Sequence, residues 1–219
     1  MQTLTEAIYR QQPPCGVFNH TVIDNLFPNE TTGARALLLH RACAAGEVLR
    51  LTRGLFVLAA PFNKKMPHPF LLANLLQPDS HVSVESALAF HGLIPEAVYQ
   101  TASVCTTRAK NFQTPLGNFS YQRVPVKNPR AGVEVVKLAD DFWAFVATPL
   151  RAIADLVYLT PDITWKRDGA GFLTESLRIE ESDVASLNLK HTKELVENFN
   201  SRRIRDFLTG LKAELKKRP

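Results

Sequence analysis

The chain has 219 residues, of which 45% are hydrophobic, enough to bury the core of one large domain or two small ones. Its formal net charge of +5 permits contacts with phosphate groups without requiring them. No apolar run approaches the ~20 residues of a membrane span, and the N-terminus lacks the basic and apolar regions of a secretory signal, so we expect a cytoplasmic protein with no membrane contact.

Residue types that form covalent or metal frameworks are sparse and widely separated. The three cysteines are Cys15, Cys43 and Cys105. They are odd in number and lack CxxC spacing, which argues against a disulfide framework or a zinc site. His68, His81 and His91 could ligate a metal by residue type, but they show neither HExxH nor i, i+4 spacing. The sequence therefore predicts reduced thiols, no metal and no cofactor.

Two helices are predicted at the start of the chain. Residues 4–12 have a helical pattern that Pro13 and Pro14 end. Asn19 is a candidate N-cap, because its side-chain oxygen can accept an orphan backbone N–H. The residues of one helical face then follow, and Pro28 ends the element; the face consists of Val22, Ile23, Leu26 and Phe27.

A third helix follows at once, with its caps and its packing face legible in the sequence. Candidate caps are Asn29, Thr31 and Thr32, and the stripe expected to pack on the second helix is Ala36, Leu39, Ala42 and Cys43. Gly46 suits the left-handed position after the helix. His40, Arg41 and the Thr31–Thr32 end lie away from the stripe, and Arg35 lies at its margin. A helix that reads base edges in the major groove needs this arrangement.

A tight hairpin completes this region. Residues 48–51 and 55–58 read as strands, with Thr52, Arg53 and Gly54 in the turn. Arg50 and Arg53 could then lie along phosphates. Helices followed by such a hairpin predict a winged helix-turn-helix DNA-binding domain over residues 1–62. The alternative is an ordinary helical hairpin with a strand pair and solvated arginines.

A second domain is predicted over residues 70–219, after a linker with three prolines. Its predicted helices are 70–76, 84–91, a helix starting at Thr148–Pro149, and the end of the chain; its predicted strands are 98–107, 119–124, 133–138 and 142–147, with a hairpin turn at 139–141 and a loop at 160–171. The predicted fold class is α+β. An N-terminal winged helix-turn-helix precedes a mixed α/β domain with a small antiparallel sheet and C-terminal helices.

Several side chains are candidates for further contacts. Residues 191–219 hold eight Lys or Arg against four acids, and Arg202, Arg203 and Arg205 form a candidate second basic surface. Its alternative is a solvated helix face. Tyr99, Phe112 and Tyr121 could stack on bases, but packing within the protein is the favoured interpretation.

Catalysis is the weaker interpretation of the polar residues in the second domain. Candidates for a serine hydrolase are Ser83, Glu85, Ser86, His91 and Asp155, but no GxSxG elbow is present. In the favoured interpretation Ser83 caps a helix, while Glu85 and His91 complement its dipole. The nearby Lys137, Asp140 and Asp141 suit a hairpin turn better than a nuclease site. We therefore expect no enzymatic activity.

Four separated strings, in this order, give the chain a family resemblance. They are LTRGLFVLA, SVESALAFHGLIPE, TPLGNFSYQRV and ATPLRAIADLV. With the predicted helices before them, from about residue 19 to about residue 159, they resemble the AbiEi-type antitoxins of type IV toxin–antitoxin systems. In that family an acid and a lysine usually follow the Thr-Pro pair, where this chain has Leu150 and Arg151.

The resemblance implies a function and a set of contacts. Such proteins bind repeats in their own double-stranded promoter DNA and repress the operon. They oppose a nucleotidyltransferase-like toxin without a stable complex, through the C-terminal domain. For this chain the implied DNA contacts are Thr31, Thr32, Arg35, Arg41, Arg50 and Arg53. The alternative is a non-catalytic regulator or adaptor whose winged helix binds another protein.

Overall fold

Helices and strands are interspersed along the whole chain, which gives an α+β fold. The structure, a computed structural model, describes residues 3–95, 99–138 and 142–217. It contains an N-terminal unit, made of Met1–Leu72 and Phe112–Gly117, and a C-terminal unit, made of Ala73–Asn111 and Asn118–Pro219. In the described residues, no helix is both long and apolar enough to cross a membrane.

The described part of the N-terminal unit includes three α-helices, a 3-10 turn (Pro14–Gly16) and a three-stranded sheet. In chain order its elements are α1 (Leu4–Gln11), β1 (Val17–Asn19), α2 (His20–Leu26), α3 (Thr32–Ala44), β2 (Val48–Thr52) and β3 (Leu55–Leu58). The sheet order is β1-β3-β2, and both pairings are antiparallel. The three predicted helices and the hairpin are confirmed. Strand β1 was not predicted, because its three residues are too few to show alternation.

Side-chain caps fix where these helices begin. Thr3 and Glu6 form a capping box at the start of α1. The Asn19 side chain accepts a hydrogen bond from the Val22 N–H at 3.2 Å, and Thr31 accepts one from the Ala34 N–H at 3.2 Å. Each bond satisfies a backbone donor that the helix itself leaves unpaired. Asn19 is confirmed as a cap, and Thr31 is the cap among the three candidates before α3.

One apolar core joins the helices of this unit to its sheet. Its buried members are Leu4, Ile8, Phe18, Ile23, Leu39, Ala42, Val48, Phe56 and Leu58. Leu38 and Cys43 pack against it, whereas Ala36, which was predicted to pack, is exposed. The predicted stripe was wrong at that position because α3 buries a face centred on Leu39 and Ala42, and Ala36 lies outside it.

The second sheet has six strands in the order β6-β7-β5-β4-β9-β8. The strands are β4 (His81–Val82), β5 (Gln100–Cys105), β6 (Lys110–Thr114), β7 (Gly117–Arg123), β8 (Val133–Lys137) and β9 (Trp143–Ala147). The pairs β5–β7 and β4–β9 are parallel, while β4–β5 and β8–β9 are antiparallel. The sheet is therefore mixed, and the predicted antiparallel sheet was wrong. Strand β6, which was not predicted, lies between β5 and β7 in sequence. Because the chain passes through this extra strand, β7 can run parallel to β5.

The remaining helices are α4 (Pro69–Leu76), α5 (Val84–Phe90), α6 (Pro149–Leu159), α7 (Trp165–Asp168), a π-helical turn (Phe172–Ser176), α8 (Glu181–Ala185), α9 (Thr192–Phe199) and α10 (Arg202–Leu215). Of these, α4, α5, α6 and those at the end of the chain were predicted, whereas α7, the π-helical turn and α8 were not. Thr148 caps α6, and Pro149 occupies its first turn, as predicted. The predicted loop at 160–171 contains α7, which local polar bonds from Thr164 and Asp168 sustain without an apolar period. Val98 and the predicted turn at 139–141 lie outside the described residues.

A glycine in α10 allows close packing against α7. A Cβ built on Gly210 would lie 2.3–2.4 Å from ring atoms of Trp165. That ring also packs edge-on against Phe207. The absence of a side chain at Gly210 therefore makes room for the Trp165 indole, although glycine in a helix interior ordinarily costs stability.

We expect Gly210→Ala to lower the free energy of unfolding by about 1–3 kcal/mol, because the added methyl group overpacks the Trp165 contact. The control is Gly33→Ala in α3, where a Cβ would meet no atom nearer than 4.0 Å. That variant should gain up to about 1 kcal/mol from helix propensity. Thermal and urea unfolding followed by circular dichroism measure both; equal stabilisation by the two variants would contradict the packing argument.

Candidate nucleic-acid interface

The exposed side of α3 carries mostly small and apolar side chains. Gly33, Ala36, Leu37, His40 and Ala44 share one face at helical spacing, and all are exposed. Leu37 is 48% exposed, although it lies at the middle of the helix. The predicted residues Thr31 and Thr32 are also exposed, at the N-terminal end of α3. A ligand approaching this end would therefore meet hydroxyl and methyl groups.

Arg35 points away from that face. Its guanidinium Nη1 lies 2.9 Å from Oδ1 of Asp24 in α2, and its side chain is only 20% exposed. Its Nε is buried and has no hydrogen-bond partner among the described residues. This ion pair links α2 to α3. The predicted base contact of Arg35 would therefore require this ion pair to open.

Arg41 is exposed at the margin of α3 nearest α1. It lines a shallow groove together with Thr3, Leu4, Thr5, Leu38, Ala42, Ala45 and Glu47. Within that groove the Thr5 hydroxyl donates a hydrogen bond to Glu47 at 2.6 Å. Since Arg41 begins the last turn of α3, it is well placed for a contact at the border of a groove, such as a phosphate.

The β2–β3 hairpin presents two more arginines. Arg53 is exposed in the turn, where Gly54 adopts a φ of +91° that favours glycine. Arg50 is exposed on β2, and its Nε donates a hydrogen bond to the Thr52 carbonyl at 3.4 Å. Burial raises the pKa of the Cys43 thiol, while the charge of nearby Arg50 opposes that shift. Arg50 therefore lies close to α3 as well as to the turn.

The helix that precedes α3 anchors the hairpin. His20, the first residue of α2, packs edge-on against Phe56 of β3 with ring centroids 5.3 Å apart. Phe56 in turn stacks on Phe18 of β1 at 5.7 Å. The hairpin therefore has a fixed base in the core of the N-terminal unit, and its arginines are carried by an ordered element.

The predicted second basic surface divides into two kinds of residue. Arg202 and Arg205 are exposed, and Arg202 makes only a loose pair with Asp206 at 3.7 Å. Arg203 instead donates hydrogen bonds to the carbonyls of Val157, Tyr158, Thr160 and Ile163. It satisfies the unpaired end of α6, where a cation is favoured. The guanidinium of Arg203 is thus engaged inside the protein.

Asp155 organises a buried polar cluster in the C-terminal unit. The Ser83 hydroxyl donates a hydrogen bond to its Oδ2 at 2.7 Å, and His81 Nε2 lies 3.4 Å from the same oxygen. Arg151 Nε lies 3.0 Å from both carboxylate oxygens, and its Nη1 donates to the Ala131 carbonyl at 2.6 Å. All four side chains are at most 2% exposed.

The ionisation states in this cluster follow from burial and charge. Burial alone would raise the pKa of Asp155, but the Arg151 guanidinium and the His81 and Ser83 hydrogen bonds hold that pKa below its usual value. Burial lowers the pKa of His81 despite the Asp155 carboxylate. At neutral pH the cluster therefore holds a carboxylate, a guanidinium and a neutral imidazole.

This geometry does not resemble a hydrolase site. Ser83 and His81 both face one Asp155 oxygen, instead of forming a serine–histidine–aspartate relay, and Ser83 is fully buried. His91 lies elsewhere, with Nε2 2.9 Å from the Ala147 carbonyl and 3.6 Å from Glu134. Ser83 occupies the N-cap position of α5 without a cap bond, so its predicted capping role was wrong. Its hydroxyl is committed to Asp155.

The other candidate side chains serve packing or lie apart. Ser86 accepts a hydrogen bond from the Ala102 N–H at 2.8 Å and ties α5 to β5, while Glu85 is exposed. Tyr121 is buried and donates to the Ala73 carbonyl, Phe112 is half-buried, and Tyr99 is 95% exposed. Within the described residues, no three His, Cys, Asp or Glu side chains are grouped to hold a metal ion.

Comparisons with known proteins relate the chain to a fold only. No protein-family model matches it, and no curated protein matches its sequence. The crystal structure of the RV2827C protein from Mycobacterium tuberculosis is similar, with a TM-score of 0.53 and 12% identity. The match covers 99% of this chain and 80% of that chain. At this level of identity the likeness concerns the fold.

We expect Asp155→Ala to lower the free energy of unfolding by about 3–5 kcal/mol, because it leaves the buried Arg151 charge without its partner. The double variant Arg151→Met/Asp155→Leu should recover most of that loss. The matched control is Asp206→Ala, which breaks an exposed Arg–Asp pair of the same i, i+4 spacing. Its cost should be about 0.5 kcal/mol or less. Urea unfolding measures the free energy of unfolding of each variant. Similar losses of stability in Asp155→Ala and Asp206→Ala would contradict the burial argument.

Acid should destabilise the protein through His81 before Asp155 titrates. The unfolded chain protonates histidine near pH ~6.5, while the folded pKa of His81 is lowered, so stability falls as pH drops below that value. The contribution is at most about 1.4 kcal/mol per pH unit. Unfolding measured from pH 7.5 to 5 should show a shallower loss in His81→Gln than in wild type, and the control is His40→Gln, which replaces an exposed histidine. Equal slopes in all three proteins would contradict this assignment.

Proposed function

We propose that this protein is a DNA-binding antitoxin and transcriptional autorepressor that opposes a nucleotidyltransferase-like toxin. The observation that carries the DNA-binding part is the order of elements in the N-terminal unit. The chain runs α1, β1, α2, α3, β2, β3, with sheet order β1-β3-β2. That order is typical of a winged helix-turn-helix, in which the second helix of the motif enters the major groove.

In this proposal α3 is the recognition helix and the β2–β3 hairpin is the wing. The exposed end of α3 at Thr31–Thr32 would approach the bases, since recognition helices contact base edges with their N-terminal residues. Arg50 and Arg53 would lie against the phosphate backbone, with Arg41 at the border. Arg35 would stabilise the motif through its ion pair with Asp24, and a direct contact with DNA would require that pair to open.

The charge of residues 1–62 bears on affinity. Residues 1–62 contain five arginines against four acids, a surplus of one, and Arg35 is neutralised by Asp24. Arg10 at the end of α1 stays exposed, and so do the three arginines of the proposed interface, Arg41, Arg50 and Arg53. Three phosphate contacts per protomer correspond to a log–log salt slope of about −2.7. We therefore expect moderate affinity, with sequence preference from α3.

The antitoxin part of the proposal rests on the ordered family strings. These strings continue into the C-terminal unit, where SVESALAFHGLIPE supplies α5 and ATPLRAIADLV supplies α6. That unit would oppose the toxin without a stable complex and without catalysis. The burial of Ser83 and Asp155 favours a structural role for the side chains that could otherwise suggest a hydrolase.

One observation favours a second candidate function. Leu37 is exposed at the centre of a face that otherwise carries Gly33, Ala36, His40 and Ala44. A face of this composition also suits a contact with another protein. In that case the chain would be a non-catalytic regulator or adaptor whose winged helix binds a protein partner.

The test of DNA binding is fluorescence anisotropy with the duplex upstream of this gene, against a scrambled duplex of equal length, over a salt series. The antitoxin part has its own test: co-expression should restore growth to cells that express a nucleotidyltransferase-like product of the adjacent gene. Preference for the promoter duplex without rescue of growth would support the repressor part of the proposal and contradict the antitoxin part. Equal binding to both duplexes would contradict the autorepressor and favour the adaptor.

We expect Arg53→Ala to weaken binding to both duplexes alike and to make the salt slope shallower by about 0.9, because one phosphate contact is lost. Arg108→Ala is the control, since Arg108 is also exposed but belongs to neither the proposed interface nor the second basic surface. An Arg53→Ala variant with the wild-type slope would remove the hairpin from the interface.

A further inference from the structure

The solvent face of α3 determines which groups can reach a base. Gly33, Ala36, Leu37, His40 and Ala44 are exposed on it, and none is an arginine, lysine, asparagine or glutamine. Those four types make the bidentate hydrogen bonds that read guanine and adenine edges. On this face the side chain of greatest reach in the N-terminal half of the helix is Leu37, 48% exposed. The exposed face of that half therefore offers few side chains that could read bases by hydrogen bonding.

The two arginines of α3 do not change this conclusion. Arg35 is held by Asp24 at 2.9 Å with a buried Nε, so reaching a base would break the pair and cost the α2–α3 contact. Arg41 lies in the last turn and lines the groove with Leu4 and Ala45. The part of α3 that enters a groove first is thus apolar, apart from the threonine hydroxyls.

A thymine methyl group is the one apolar group on the base edges of the major groove, and aliphatic side chains read it by contact. Gly33 and Ala36 have little or no side chain, so the helix backbone can come close to the bases at these positions. Leu37, one turn beyond Gly33 and next to Ala36, can then cover a methyl group. Exposed arginines on both margins, Arg41 on α3 and Arg53 on the hairpin, complement flanking phosphates and favour DNA over a neutral protein surface.

We infer that α3 selects its operator by contact of Leu37 and Ala36 with thymine methyl groups in the major groove. The inference rests on the proposed DNA-binding function and names the feature of DNA that this helix reads. Sequence preference then follows the positions of thymines facing α3, and guanine contacts from arginine contribute little to it. Arg41, Arg50 and Arg53 supply affinity that is independent of sequence.

Replacing thymine by deoxyuridine in the promoter duplex removes the methyl group and keeps every Watson–Crick hydrogen bond. Wild-type protein should bind the deoxyuridine duplex about fourfold more weakly for each methyl group contacted, the change that corresponds to burial of one methyl-sized group. Leu37→Ala should bind the thymine duplex more weakly than wild type, because the contacts of Leu37 are lost while that of Ala36 remains. Its further loss on the deoxyuridine duplex should therefore be smaller than that of wild type.

The decisive quantity is the coupling between the two changes, because deoxyuridine also alters the duplex itself. Anisotropy titrations of wild type and Leu37→Ala on both duplexes give that coupling directly. Arg53→Ala is the matched control, since it should bind more weakly and keep the full thymine preference. Leu37→Gln repeats the test with a side chain of similar length, and circular dichroism melting verifies that each variant is folded.

The outcomes separate this inference from the proposed function. Preference for the promoter over the scrambled duplex, with equal affinity for thymine and deoxyuridine, overturns methyl readout and leaves the repressor proposal standing. Equal binding to promoter and scrambled duplexes overturns both. A deoxyuridine effect of the same size in wild type and Leu37→Ala excludes Leu37 as the reader. Dissociation of a wild-type dimer by Leu37→Ala, without coupling, identifies this face as a protein contact and also overturns the inference.

Discussion

A carboxylate with no solvent exposure organises the C-terminal unit. Asp155 accepts bonds from Arg151 on its own helix, from Ser83 at the start of α5, and lies beside His81 of β4. Arg151 extends the cluster to the Ala131 carbonyl. A buried charge is tolerated only when it is paired and hydrogen-bonded, so these segments must meet in one arrangement. The cluster thereby fixes α6 against the sheet, and it engages the polar side chains whose residue types would suggest catalysis.

The N-terminal unit depends on a different constraint, namely which face of α3 packs against the core. Leu39 and Ala42 must face the core, which forces Gly33, Leu37 and His40 outward. The same rotation turns Arg35 towards α2, where Asp24 takes up its charge. Packing thus decides which predicted contact residues can reach a ligand and which serve the fold.

Much of this architecture was predictable from local sequence signals, and the failures have identifiable physical causes. Caps at Asn19 and Thr148 follow from local hydrogen bonding, and both were predicted. Strand order was not, because the parallel pairing of β5 with β7 depends on contacts between distant segments. The burial of Arg151 and the engagement of Arg203 were missed for the same reason. One signal did exist for Arg151: a charged residue four positions before Asp155 on an otherwise apolar helix.

The low net charge of residues 1–62 bears on how the proposed repressor would select its site. A strongly basic surface would hold any duplex tightly, so that many non-specific sites would compete with the operator. In the proposed complex, the exposed Arg41, Arg50 and Arg53 would supply a salt-dependent part of the affinity that does not depend on sequence. Sequence preference would then come from base contacts, and the exposed face of α3 offers aliphatic side chains for them. A repressor of this kind would depend on shape and methyl contacts, which salt screens weakly, so its preference for the promoter should persist while ionic strength lowers its affinity for every duplex.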